Sequence, residues 1–399
     1  MIVKIYNLIF PWVINNILKI LKLKKRNENL WIFGAWGGDN YSDNSKYLFE
    51  YVIEHLPNIN AVWITKKPDI KEKLNLAGKK CYLFNEPNGR ITRLAANYVF
   101  FTNGMTDFGK YDLCHGATKV ALWHGMPLKK LWFATNNLQK RDKNIFRLLQ
   151  YIVLKIYNHA KRDFTIATSE TTKKLLIECF EVKPETVLIT GQPRNDGLFN
   201  TKEIHLLKQK LNHNSNDKFV LYMPTWREMG NNEIFLENIL NQLINDSAFL
   251  DSLNKNNIKL YVKPHPRITI NTKSTKNIIV LKGMSDIDNQ VLIGAADELI
   301  TDYSSVFIDY ALLERPVHFF VPDLEEYKKD RLGLFFSFED FVEDYFTDIN
   351  ELKKVILNST IYAQKGINNS LKVNSLYNDP MLPKGKYCDC FTDTFLYCK

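Results

Sequence analysis

The chain has 399 residues, 45% of them apolar and 24% charged. That profile excludes disordered, collagen-like and small disulfide-stapled classes and supplies core for about two domains. Its 53 Lys and Arg against 44 Asp and Glu leave a net charge of +9, which favours an anionic partner (phosphate, nucleotide or lipid headgroup) without choosing among them. The six cysteines, Cys81, Cys114, Cys179, Cys388, Cys390 and Cys398, follow no regular framework and no cleavable signal segment is visible, so reduced thiols in a reducing cytosol are expected.

Residues 1–28 read as an amphipathic helix. Ile5, Leu8, Ile9, Trp12, Val13, Ile17, Ile20 and Leu21 share one face, and Asn7, Asn15, Lys19, Lys22 and Arg26 the other. Pro11 and the polar face argue against a membrane span. Within residues 1–27 the cations, Lys22, Lys24 and Lys25 among them, stand against no carboxylate, as in a helix lying in the plane of an anionic membrane with Trp12 at the interface. Packing on the protein's own core is the alternative.

Short β-rich runs then alternate with helical or turn-rich sequence: 30–36, 61–65, 98–102, 119–123, 164–168 and 187–190, and again 219–223, 260–263, 278–281, 298–301 and 317–321. Such alternation predicts two parallel sheets covered by helices, an α/β fold of two Rossmann-like lobes. The turn-forming stretch ending at Gly197 divides them, giving an N-terminal domain over 29–197 and a C-terminal domain, terminal tail included, over 198–399. Within the first, residues 129–162 hold nine cations, among them Lys129, Lys140, Arg141, Arg147 and Arg162, against Asp142 alone. Interleaved residues such as Phe133 and Tyr151 predict a membrane-facing helix, with a solvated charged face as the alternative. No nucleic-acid module is present, so nucleic acid is not an expected partner.

Ligands of open α/β sheets bind at the carboxyl ends of strands, and chemistry-bearing residues collect there. In VALWHGMPLKKL, His124 follows an apolar run and Gly125 and Pro127 turn the chain, which marks a candidate general base; a local hydrogen bond is the plainer role. LYMPTWRE offers Thr225 and Arg227, the latter suited to bidentate contact with phosphate or to pairing with Glu228. Two prolines bracket His265 in LYVKPHPRI, with Lys263 beside it. In ELITDYSSVFIDYALLERP, Ser304 and Ser305 stand at a helix start, where they cap the helix, seat a phosphate, or divide the two roles. Asp302 is a candidate to orient a histidine or a sugar hydroxyl, Asp309 is expected to face solvent or support the turn, and Asp323 and Glu326 are candidates for ribose hydroxyls. Cys388, Cys390 and Cys398 lack a fourth ligand at zinc-like spacing, so no structural metal is expected. No cofactor is firmly implied, which leaves room for a divalent cation.

Taken in order, WHGMPLKKL, GQPRND, LYMPTWRE, KPHP, ITDYSSVFIDYALLERP and DLEEY, preceded by GAWGGDNYSDNSKYLFEYV, resemble the CDP-glycerol glycerophosphotransferases of teichoic acid synthesis. The resemblance implies a two-lobed fold of the glycosyltransferase-B type whose first lobe takes the acceptor and whose second takes the donor. It implies CDP-glycerol or a similar CDP-polyol as donor, a polyprenyl-diphosphate-linked saccharide or a growing polyol-phosphate chain as acceptor, and departure of CMP. On this pattern His124 is the base, His265 steadies the donor pyrophosphate, Ser304 and Ser305 hold its phosphates, Arg227 contacts the same region, and Arg194, Asn195 and Asp196 shape the cleft. From their strand-end positions Thr225 and Lys263 are further candidates for the donor phosphates, and Asp302, Asp323 and Glu326 for supporting the donor. Met126 departs from the family's small hydroxyl residue after His-Gly. The enzyme is expected to act as a peripheral protein on the cytoplasmic face of a bacterial membrane. Two alternatives stay open at this stage: a transferase using a nucleotide-diphosphate sugar, and a non-catalytic membrane-surface binding protein.

Overall fold

The computed structural model describes residues 13, 17, 26–135, 145, 148, 151, 162–225, 232–265, 268, 270–282, 287–327 and 333–398. Trp12, Lys22, Lys24, Lys25, Lys140, Arg141, Arg147 and Arg227 lie outside them. Among the described residues thirteen strands form two sheets in which every pairing is parallel. Two compact units carry them. The first comprises Met1–Met126, Lys130–Arg194 and Lys386–Lys399, and the second comprises Pro127–Lys129 and Asn195–Gly385.

In the first unit β1 (Asn27–Gly34), β2 (Asn60–Thr65), β3 (Cys81–Leu83), β4 (Ala96–Phe101), β5 (Thr118–Ala121), β6 (Phe164–Ala167) and β7 (Val187–Ile189) lie in the order β3-β2-β1-β4-β5-β6-β7. The second unit repeats this winding with β8 (Lys218–Met223), β9 (Ile258–Val262), β10 (Ile278–Val280), β11 (Glu298–Thr301), β12 (Val317–Phe320) and β13 (Tyr345–Phe346), ordered β10-β9-β8-β11-β12-β13. Both are doubly wound, so the order reverses between β1 and β4 and between β8 and β11, where such sheets open a crevice for ligands. The strands read as unbroken apolar runs because helices cover both faces: β11 and β12 are buried at every position. Local chemistry sets the helix starts. Pro68 and Pro87 open two helices whose first N–H groups need no partner, and Ser169 and Thr172 close a reciprocal cap on the helix Glu170–Phe180.

Several expectations change. β3 and β13 were not visible in the sequence; both are short edge strands, of three and two residues, and unlike the equally short β7 and β10 they contain no β-branched residue to mark them. The terminal segment, assigned from sequence to the second domain, packs with the first. Phe391 and Phe395 of the helix Tyr387–Tyr397 are buried among Trp31, Tyr98, Phe100 and Phe164, and the Tyr51 hydroxyl donates to Asp389 at 2.7 Å. Gly191, at φ 72°, makes room for the Tyr387 ring, which a Cβ there would strike. Chain entry into the second unit falls at Asn195, three residues before the expected start at residue 198.

Cations expected to face lipid are partly committed to the protein itself. Arg26 donates to the carbonyls of Arg93, Leu94, Ala96 and His115, so it ties the chain to the end of the helix Pro87–Ala95. Arg162 lies over the Phe180 ring at 3.7 Å and the Trp123 ring at 5.4 Å, and Lys129 sits 4.4 Å over the ring of Tyr327. Tyr151, expected to meet the bilayer, is buried and donates to the Glu181 carboxylate. Val13 and Ile17, one turn apart, are helical and exposed. Among the described residues no helix is long and apolar enough to cross a membrane.

Candidate active site

The first cluster forms where β1, β4 and β5 end. Trp123 leaves β5 in the left-handed region at φ 58°, Gly125 follows at φ 144°, and His124 stands between them. Its ring centre is 4.3 Å from that of Trp123 and 5.3 Å from that of Trp36, which follows β1. Trp36 and Asp43 are also left-handed, at φ 52° and 65°. Three non-glycine residues in this region cost about 1–3 kcal/mol each, so the surrounding contacts must over-determine them.

Those contacts come from the start of the helix Asp43–His55. The Asn44 carboxamide donates to the carbonyls of Leu122 and Trp123 at 3.1 and 3.0 Å and accepts from the Arg194 amide at 3.0 Å. Arg194 then clamps the turn, its guanidinium donating to the Asp43 carboxylate at 2.9 Å and to the His124 carbonyl at 2.8 Å. Ser45 and Thr102 share a hydroxyl contact of 2.9 Å. Asp107, wholly buried, accepts from the amides of Gly37, Thr102 and Asn103 at 2.7, 2.9 and 2.8 Å, so one carboxylate pins the chain after β1 to the chain after β4.

Burial lowers the His124 pKa below its ordinary value. Asp43 pulls it back up, Arg194 and Arg162 push it further down, and the backbone of Thr102 favours the charged form. The net effect is a neutral imidazole near neutral pH, able to accept a proton. Its Nδ1 is buried with no hydrogen-bond partner, a cost a protein rarely leaves unpaid without a use for the group.

The second cluster forms at the corresponding edge of the other sheet. Asp302, after β11, accepts from the Thr225 amide and hydroxyl and from the Tyr303 amide at 2.7 Å. This carboxylate locks the two strand ends that flank the switch point. Ser305 precedes the short helix Val306–Tyr310 without a side-chain capping bond, while the Ser304 hydroxyl accepts weakly from the Val306 amide at 3.4 Å. Double capping is therefore set aside. Asp309, expected at the surface or supporting the turn, is buried and accepts from the Gln290 carboxamide at 3.0 Å. The Tyr303 hydroxyl donates to Asp323 at 3.2 Å, and its ring stacks on Tyr327 with centres 3.5 Å apart. Beside Tyr327 and Lys129 opens a pocket of about 440 Å³, lined also by Leu334 and Phe336, a size that takes a small organic ligand.

Thus the structure joins Thr225 with Asp302 directly, reaches Asp323 through Tyr303, and, separately, joins His124 with Arg194. Lys263 and His265 follow β9, each half-buried. Asn195 is buried with neither carboxamide atom bonded, Asp196 is half-buried, and Glu326 is exposed. His124 and Arg194 belong to the first unit; His265, Ser304, Ser305 and Asn195 belong to the second. Sequence reasoning passed over Trp36, Asp43, Asn44 and Asp107. The one signal was GAWGGDNYSDNS itself, a turn-rich run directly after a strand. Among the described residues no group of three or more His, Cys, Asp or Glu is placed to hold a metal ion.

Comparison with known proteins fits this geometry. Residues 17–378 match the model of the CDP-glycerol:poly(glycerophosphate) glycerophosphotransferases. The chain belongs to that family. The glycerophosphotransferase is 29% identical over 354 residues to the teichoic acid poly(glycerol phosphate) polymerase of Bacillus spizizenii, covering 85% of this chain and 83% of that one. It is 30% identical over 324 residues to the teichoic acid ribitol-phosphate primase of the same organism, covering 78% and 77%. The solved structure of the wall teichoic acid polymerase TagF superposes with a TM-score of 0.74 at 21% identity, covering 96% of this chain and 93% of that one; at this identity the match speaks for the fold, two Rossmann-like lobes. The glycerophosphotransferase is accordingly an enzyme that transfers glycerol phosphate from CDP-glycerol in teichoic acid synthesis, and neither a sugar transferase nor a non-catalytic surface protein.

Proposed function

We propose that the enzyme carries glycerol phosphate, or a related polyol phosphate, from its CDP-activated donor to the terminal hydroxyl of a polyprenyl-diphosphate-linked saccharide or polyol-phosphate chain, working as a peripheral protein on the cytoplasmic face of the membrane. The observation that carries this reading is His124: a neutral imidazole at a strand end, clamped by Arg194 and Asn44, with a buried nitrogen that has no partner. The acceptor hydroxyl gives its proton to His124 as its oxygen attacks the glycerol-bearing phosphorus in line. The bond from that phosphorus to the bridging oxygen breaks, and CMP leaves with the electron pair. Little covalent work remains for the protein, so positioning and charge stabilisation dominate.

Donor phosphates fall to Ser304, Ser305, Thr225, Lys263 and His265, with Arg227 added from sequence. Supporting this assignment are their places after β8, β9 and β11 and the hydroxyl of Ser305, which no capping bond occupies. Arg194 holds the base in place, with Asn195 and Asp196 next along the chain, and Asp302, Asp323 and Glu326 support the donor loop. Membrane attachment rests on the exposed apolar pair Val13 and Ile17 and on the basic composition of residues 1–28. The test combines purified protein, CDP-glycerol or CDP-ribitol, and a synthetic lipid-linked disaccharide, followed by mass analysis. CMP release with one or more polyol phosphates added to the acceptor supports the reading; donor left intact overturns it.

A further inference from the structure

We propose that Trp36 is a binding platform for a sugar ring of the acceptor, presented by a rigid left-handed turn beside His124. This rests on the acceptor carrying a saccharide, as proposed above. Trp31, Trp63 and Trp123 of the same unit are at most 5% exposed, whereas Trp36 is 37% exposed. Its ring centre lies 5.3 Å from that of His124, about one small substituent away from the candidate base. An indole presents a flat apolar face with negative charge at its centre, and the C–H groups on one side of a pyranose ring match that surface in shape and polarity. A glycerol phosphate unit has no ring and an anionic charge, so it gains little there.

The turn is built to hold that ring still. Trp36, Gly37 and Gly38 are consecutive left-handed residues, a run open to glycine and costly for tryptophan. Asp107 grips the Gly37 amide from inside the sheet, the Gly38 amide bonds the Ala35 carbonyl at 2.9 Å, and Gly38 has no Cβ because the Phe84 ring fills that space. A polypeptide that needed only an apolar plug here has no use for a pinned, strained and half-open tryptophan.

The experiment uses the full chain and the soluble disaccharide of the acceptor, with binding followed by calorimetry so that turnover is not required. Wild type should bind the disaccharide. Trp36→Ala and Trp36→Leu should weaken it by about 10-fold or more, Trp36→Phe and Trp36→Tyr should keep most of it, and affinity for CDP-glycerol should not change in any of them. Equal disaccharide binding by Trp36→Ala and wild type overturns the proposal. So does loss of CDP-glycerol affinity in its place, which assigns the indole to the nucleobase, and so does equal loss in the Phe and Leu variants, which makes the ring a packing element. Disaccharide binding that depends on Trp36 in a protein that leaves CDP-glycerol intact sustains the platform while removing the transferase reading.

Discussion

At the carboxyl edge of the first sheet, the protein restrains one imidazole with strained backbone, two indoles and an Arg–Asp–carbonyl clamp. At the same edge of the second sheet, Asp302 draws two strand ends together and leaves the neighbouring Ser305 hydroxyl without a capping bond. The same winding thus carries two kinds of preparation. A base must sit at one distance and in one protonation state, so its surroundings are buried and over-determined. The phosphate seat proposed at the second edge needs a donor turned outward; there the scaffold is tied through Asp302 and Thr225, and the Ser305 hydroxyl makes no capping bond.

The largest effect that probes this contrast comes from behind the first site. Phe391 is wholly buried against Phe100, and the helix that carries it places Tyr387 on Gly191, next to the segment Gln192–Arg194 that reaches Asn44 and His124. Phe391→Ala should cost about 3–5 kcal/mol of stability in urea unfolding and lower turnover, while CDP-glycerol affinity holds at temperatures where the first unit stays folded. Equal stability in the variant and wild type would place the helix outside the cooperative core.

His124→Ala should reduce single-turnover rates by about 100-fold or more with donor affinity preserved; an unchanged rate removes it as the base. Asp43→Asn acts through pH. Asp43 is the main charge raising the His124 pKa, so its removal favours the neutral imidazole further. The acid limb of kcat/KM, where activity falls as His124 takes up its proton, should move to lower pH in a profile recorded over about pH 4 to 8. Movement to higher pH contradicts the electrostatics described above. The smallest effect is expected at Ser305. Because its side chain makes no capping bond, Ser305→Ala should leave stability unchanged and raise the donor KM by roughly 3- to 10-fold, the worth of one hydrogen bond.

Much of the architecture was legible in the chain. Eleven of the strands announce themselves as short apolar runs, and the parallel sheets follow from their spacing by helix-sized intervals. His124, Thr225, His265 and Ser305 were singled out as candidates because each follows such a run, where a doubly wound sheet presents its loops. The partners of His124 were not. Asp43 and Asn44 stand about 80 positions before it, Thr102 and Asp107 precede it on the chain after β4, and Arg194 lies 70 positions after it. Nothing in the local sequence separates Asn44 from any polar residue at a helix start, and nothing in FTNGMTDFGK distinguishes Asp107 from a surface carboxylate.

Hydrophobic periodicity and turn chemistry act over a few residues, and so the chain alone settles where strands and helices form, that they alternate, and which side chains end up at strand ends. Motif order adds the family. Packing acts over the whole unit. Only the folded sheet could decide that Arg26 caps a helix, that Arg162 stacks on Phe180, that the last helix completes the first unit's core, and that a buried aspartate holds Trp36 beside His124, because each of these depends on surfaces that meet only after distant segments have been brought together.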